Sequence, residues 1–323
     1  MPIRVGDKQS GWREVLYASG TQTIIKHKNA WRTAALKQPR FELIEIEGAA
    51  YVWPRGINNA GDISGHLVME SENGQFGFIR RGDQVTLLSV PDAIATRAWG
   101  IDNEGRVAGH FYDSSEINAG AKGFIYEDGQ YTTLIHPEAA YFGGTQAVGI
   151  NAGRVVGWFF DSASRIHGFL YVNGQWTQLD YPGSNSTLAF GINSAGRIVG
   201  SWQDREGSHG FSYQNGQYQE IMFPRPGAAD TNLLDCNADT IVGATGGIFE
   251  WRPFLLRRDR FTLLDLPGVF AYGINDSGLI VGDYGRSKGF VAKASAFFPK
   301  GDESLLPVPS AGRDLTAHVA DQA

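Results

Sequence analysis

Apolar and polar residues alternate with a period of two through most of the chain, in runs of four to eight residues parted by Gly, Asn and Asp. That is the pattern of half-buried β-strands, not of amphipathic helices. One stretch shows the unit: Thr187 to Asn193, a turn at Ser194 to Gly196, Arg197 to Gln203, a loop, Gly210 to Tyr213, an Asn215-Gly216 corner, and Tyr218 to Phe223. Asn-Gly is a strong hairpin signal because both central residues need positive φ. Asp128-Gly129 and Asn173-Gly174 stand at the same corner of two other stretches.

The unit is repeated. GINSAGRIVG (191–200) recurs as GINNAGDISG (56–65), GIDNEGRVAG (100–109), GINAGRVVG (149–157), GINDSGLIVG (273–282) and, in degraded form, DCNADTIVG (235–243). The starts at 56, 100, 149, 191, 235 and 273 are spaced as expected for one four-stranded propeller blade per copy. The expected fold is therefore all-β, a six-bladed β-propeller. The run Phe41 to Gly48 resembles the fourth strands FTLLDLPG (261–268) and WTQLDYPG (176–183), yet precedes the first copy, while the sixth copy supplies three strands. The N-terminal run is expected to complete the last blade and close the ring, hiding two sheet edges.

His167-Gly168-Phe169 and His209-Gly210-Phe211, each following such a run, resemble the HAF repeat family, named for a His-Ala-Phe triplet. Lys122-Gly123-Phe124 and Lys288-Gly289-Phe290 put another cation in the slot, and Arg252-Pro253-Phe254 and Phe76-Gly77-Phe78 depart further. The resemblance spans about residues 41 to 295 and implies architecture, not activity.

Composition bounds the rest. Residues 41–295 form the expected propeller, 1–40 an N-terminal extension folded in part against it, with a lid or oligomer contact as the alternative, and 296–323 a loosely ordered tail. A net charge of −6 and a pI near 5.7 argue against nucleic acid as partner. No run reaches the ~18 apolar residues of a membrane span, so no membrane partner is expected. The start lacks the apolar core of a secretory signal, so the reading is cytoplasmic, or secreted if the chain is processed. The lone cysteine, Cys236, reads as a packing residue. Asn185-Ser186-Thr187 and Asn275-Asp276-Ser277 match the glycosylation pattern.

Antiparallel strands put the loop before each innermost strand, and the loop between its second and third strands, on one face. Those loops vary; the NxxG and NGQ turns of the opposite face are uniform and read as structural. Function is expected at the variable face, at the channel mouth. The position after each I-V-G run holds His66, His110, Trp158, Ser201, Ala244 and Asp283; that three before the G of GIN holds Trp53, Arg97, Gln146, Leu188, Asn232 and Phe270. The position just before that G holds Arg55, Trp99, Val148, Phe190, Leu234 and Tyr272. Such variety suggests an asymmetric pocket wall. His66 and His110 are candidate acid or base, Asp283 the carboxylate orienting His66, and Arg97 and Gln146 donors to an oxygen. Trp53, Trp99, Trp158, Phe190, Asn232, Phe270 and Tyr272 shape the site. Hydrogen-bonded filler is the competing role for the two histidines, an inter-blade ion pair for Arg97.

His167 and His209 read as blade supports. No nucleotide-binding, zinc or serine-elbow motif occurs, so a metal-free, cofactor-free site is expected. The resulting expectation is an enzyme that cyclises, isomerises, eliminates or hydrolyses a small, largely apolar organic molecule. A protein-interaction or ligand-binding scaffold without catalysis is the alternative, and carbohydrate binding a third.

Overall fold

The computed structural model describes residues 41–298, apart from 72–73, 114–119, 141, 225–229, 248–249, 265–268 and 286, together with strands at 3–5, 13–17, 22–27, 30–35 and 306–307. Contacts divide the chain into two units, residues 1–40 and 41–323. The first is a four-stranded antiparallel meander, Ile3–Val5, Arg13–Tyr17, Gln22–His27 and Ala30–Ala35. A lid or oligomer role for it would rest on side chains outside the described residues. The same holds for most of the tail, although Leu306–Pro307 pairs with Arg260 and Phe261.

The second unit is all-β, and among the described residues its one helical element is the short turn Ala294–Ala296. No helix there is long and apolar enough to cross a membrane. The copies fall into two eight-stranded sheets, a five-stranded and a four-stranded one. Within each copy neighbouring strands are antiparallel, as in Ser186–Ile192, Ile198–Gln203, Ser208–Gln214 and Gln217–Ile221. At the Asn215-Gly216 corner φ is 53° and 80°, the left-handed pair that this hairpin needs. The strand Phe41–Ile44 pairs antiparallel with Lys288–Lys293, placing Ile44 opposite Gly289.

The repeated glycine and phenylalanine are explained together. The I-V-G glycine lies directly opposite the third-strand phenylalanine in every copy, as Gly65 with Phe78, Gly157 with Phe169 and Gly282 with Phe290. Phe78, Phe124, Phe169, Phe211, Phe254 and Phe290 are all fully buried. A Cβ on Gly109 or Gly243 would stand 2.5 Å from the facing ring. The glycine is thus the space into which the ring packs, and losing such a ring costs about 3–5 kcal/mol.

Each innermost strand also carries a β-bulge just before its GIN segment, as between Pro54 and Gly56 and between Ala271 and Gly273. The extra residue bends the strand and brings the GIN glycine against the next copy. A Cβ on Gly56 would lie 2.7 Å from Trp99 O, and one on Gly273 would lie 2.8 Å from Arg55 O. The asparagine of GIN is a clasp as well as a turn residue. Asn58 Nδ2 donates to Asp102 O, Asn193 Nδ2 to Asn237 O, Asn237 Nδ2 to Asn275 O, and Asn275 Nδ2 to Asn58 O. Asn275 is buried by this bond, so the second glycosylation match has no free amide in the folded chain.

His167 and His209 support the outer strands, as expected. His167 sits between Asp161 (3.2 Å) and Asp180 (2.9 Å), and His209 between Asp204 (3.1 Å) and Glu220 (3.2 Å). In other copies Lys122 pairs with Asp113 and Lys288 with Glu45. In these four copies the slot ties the third strand to acidic side chains on neighbouring strands and loops.

Candidate functional site

The two variable positions are register partners in all six copies. Trp53 faces His66, Arg97 His110, Gln146 Trp158, Leu188 Ser201, Asn232 Ala244, and Phe270 Asp283. Their environments differ. The innermost-strand set is half-buried throughout. In the second-strand set, His66, His110, Trp158, Ser201 and Ala244 are buried, and the Asp283 side chain is 13% exposed.

The second-strand residues lie in the seam towards the next copy. The His66 ring is 6.3 Å from Trp99 and Trp158 is 5.2 Å from Phe190, each belonging to the following copy. Asp283 accepts from Arg55 Nη1 at 2.8 Å. The expectation that Asp283 orients His66 is therefore corrected: its partner is Arg55. That guanidinium also lies 3.9 Å from the Tyr272 ring and 5.3 Å from Trp99. Position-by-position variety reflects what each seam must match, not the wall of a pocket.

Burial decides the chemistry of the histidines. Desolvation, followed by the Arg55, Arg97 and His110 charges, holds His66 well below the ordinary imidazole value. Desolvation and then Arg97 push His110 down to about 3. His66 Nδ1, both His110 nitrogens, Trp99 Nε1 and Arg55 Nε are buried with no hydrogen-bond partner among the described residues. These imidazoles are neutral at neutral pH and enclosed, so the expected acid or base titrating near pH 7 is not what the seam contains. Desolvation likewise raises the Asp283 carboxyl.

At the asparagine-turn end, which the sequence presented as structural, all six copies line one cavity of about 70 Å³. At ~10–15 Å³ per water centre, it has room for a handful of waters. Arg55, Trp99, Phe190, Tyr272 and Asp235 are among its walls. Asp235 stands where the other five copies have the GIN glycine. Its Oδ1 accepts Cys236 N at 2.8 Å and its Oδ2 accepts Ile274 N at 2.9 Å. What surface it keeps faces the cavity, and desolvation pushes its carboxyl up to about 7. The fifth copy is thus altered rather than decayed. Cys236 beside it is buried and raised to about 12, first by desolvation, in keeping with a packing role.

At the loop end, Arg97 Nε donates to Gln75 Oε1 at 2.6 Å and its guanidinium lies 5.3 Å from the Tyr112 ring. The inter-copy ion pair weighed for Arg97 is not formed among the described residues. Asn232 accepts from Ser208 Oγ at 2.6 Å. Trp53 stacks on Tyr51 at 5.5 Å and 9°, and Phe270 on Tyr272 at 6.1 Å. Parts of the variable loops, at 72–73, 114–119, 141, 225–229, 248–249 and 286, lie outside the described residues.

Sequence reasoning missed the bulge, the clasp and one further repeat. Thr96, Thr145, Thr187 and Thr231, each four residues before the GIN position, accept through Oγ1 from Val90, His136, Tyr181 and Phe223 N at 2.9–3.1 Å. Their recurrence at a fixed offset was the available signal.

No family model matches the chain, and no curated protein matches it. Solved structures do. The β-propeller domain of the Trilobed protease from Pyrococcus furiosus, described as having an open velcro topology, aligns with a TM-score of 0.50 at 10% identity, covering 98% of this chain and 96% of that one. A fucose-specific lectin from Aleuria aurantia aligns at 0.40 and 14%, over 78% of this chain and 89% of that one. An acylaminoacyl peptidase from Pyrococcus horikoshii aligns at 0.44 and 11%, over 98% of this chain and 50% of that one. The Pyrococcus furiosus likeness is one of fold: this chain is all-β and propeller-like.

Proposed function

We propose that the protein is a ligand-binding scaffold without catalysis, a six-bladed ring of HAF-type repeats that takes a small organic molecule at the loop end of its axis. One observation carries the reading. The half-buried innermost-strand residues Trp53, Arg97, Gln146, Asn232 and Phe270 offer aromatic walls and polar groups, whereas the titratable His66, His110 and Asp283 are enclosed in seams. A ligand meets the first set and not the second. Binding needs only walls and a few oriented polar groups; proton transfer needs a titrating group within reach of the substrate.

The ring itself is supported by contacts between the sixth and first copies. They are the Asn275 clasp onto Asn58, Val52 N donating to Ser287 O, and the pairing of Phe41–Ile44 with Lys288–Lys293. Deleting residues 41–47 is expected to destabilise every copy together; a truncated chain melting like the full one would overturn closure.

The functional reading is tested by screening small organic molecules with ligand-detected NMR against the wild type, Trp53→Ala and His66→Phe. Binding lost in the first variant and kept in the second is the expected result. Conversion of any bound compound that disappears on replacing His66 or His110 would replace the scaffold with an enzyme.

A further inference from the structure

The mouth of the seam between the first and second copies combines an aromatic platform with a cation. Tyr51, 43% exposed, stacks on Trp53, and Ile94, near the start of the next copy's innermost strand, is 61% exposed. The Trp53 ring is 5.1 Å from His66, and Tyr51, Val68 and Gln75 stand in one row of the first copy's ladder, where Gln75 is the residue that Arg97 binds. Platform and guanidinium therefore meet the same row of the first copy.

Arg97 is pre-set for one kind of partner. Gln75 Oε1 holds its Nε and the Tyr112 ring lies against its guanidinium. Among the described residues neither Nη group has a hydrogen-bond partner, and a guanidinium fork matches a carboxylate through two parallel bonds. The charge balance agrees. Of the six innermost-strand residues at this level, Trp53, Arg97, Gln146, Leu188, Asn232 and Phe270, Arg97 alone is charged. Asp283, the carboxylate facing this level from the second strand, is committed to Arg55, and His66 and His110 are held neutral.

Resting on the scaffold reading above, we infer that the ligand is an aromatic carboxylate, its ring laid on Tyr51 and Trp53 and its carboxylate on Arg97. Such a ligand is more polar than the largely apolar molecule expected from the sequence. Uncharged ring compounds gain the platform but leave the fork solvated, and an ammonium of the same shape meets a like charge.

The test is a charge series of one shape, phenylacetate, phenylacetamide and phenethylammonium, titrated into the full chain and followed by ligand-detected NMR. Phenylacetate is expected to bind roughly tenfold or more above the amide, as a charge-assisted pair provides, with phenethylammonium weakest. Arg97→Gln should abolish that preference, whereas Tyr51→Ala, at an exposed position, should weaken acid and amide by the same factor. Equal binding of acid and amide, or a preference that survives Arg97→Gln, overturns the carboxylate and leaves the scaffold standing. Binding of none of the three by wild type overturns both. A peptide C-terminus shares this chemistry; N-acetylphenylalanine binding far above phenylacetate would assign the site to chain ends instead of free aromatic acids.

Discussion

The second-strand and innermost-strand positions occupy facing places in the same ladder, yet they have opposite duties. His66, Trp158 and Asp283 are varied because each fits a different neighbour across a seam. Trp53, Arg97, Gln146 and Phe270 are varied on a surface that stays half open. Diversity along a repeat is therefore a sign of function only on the side that no other copy covers. The comparison predicts that seam substitutions change stability and leave binding alone, and that innermost-strand substitutions do the reverse.

The largest expected effect is at Asp283. Its replacement by Ala leaves the Arg55 guanidinium, 9% exposed in its side chain, without a counter-charge, at a cost of about 3 kcal/mol in urea unfolding. Loss of less than about 1 kcal/mol would mean that this seam is looser than described.

The next effect lies in pH dependence, where two seams carry opposite signs. His110 has a folded pKa below its unfolded value, so its share of stability is present above pH ~6.5 and lost as pH falls towards 3. Asp235 has a folded pKa raised to about 7. Its protonated form suits the fold, so its share is lost as pH rises from ~4 to 7. Acidifying from pH 7 to 4 should therefore cost His110→Phe less stability than wild type, and Asp235→Asn more. At pH 7, His110→Phe should be neutral to slightly stabilising, because it removes two buried nitrogens without partners. Parallel pH curves for the two variants would overturn the opposed assignment.

The smallest effect is at Gln146, half-buried at the loop end. Gln146→Ala should stay within about 0.5 kcal/mol of wild type in unfolding while lowering affinity for any ligand found. A larger loss of stability would move it to the seam class.

Much of this architecture was legible beforehand. The GIN and I-V-G runs located the strands, the Asn-Gly corners, and the two varied sets, though not their facing in register. A period of two separates the sides of a strand, but does not say which side a neighbouring copy will cover. For that reason His66 passed for a pocket residue. Likewise Asn275 was legible as a turn former, while its reach to Asn58 depends on two copies 217 residues apart in sequence. Asp235 looked like decay because a carboxyl in a glycine slot has meaning only once Ile274 N is seen opposite it.

The pairing of Phe41–Ile44 with Lys288–Lys293 also bears on how the protein is made. Ile44 leaves the ribosome roughly 245 residues before its partner Gly289, which at about 5–20 residues per second is a wait of some tens of seconds. Through that interval the earliest strand of the array is the last to find its place. A nascent chain arrested before residue 288 would hold the first two strands of the sixth copy and, at its other end, Phe41–Ile44 still seeking a mate, open to capture by a chaperone or by a neighbouring chain.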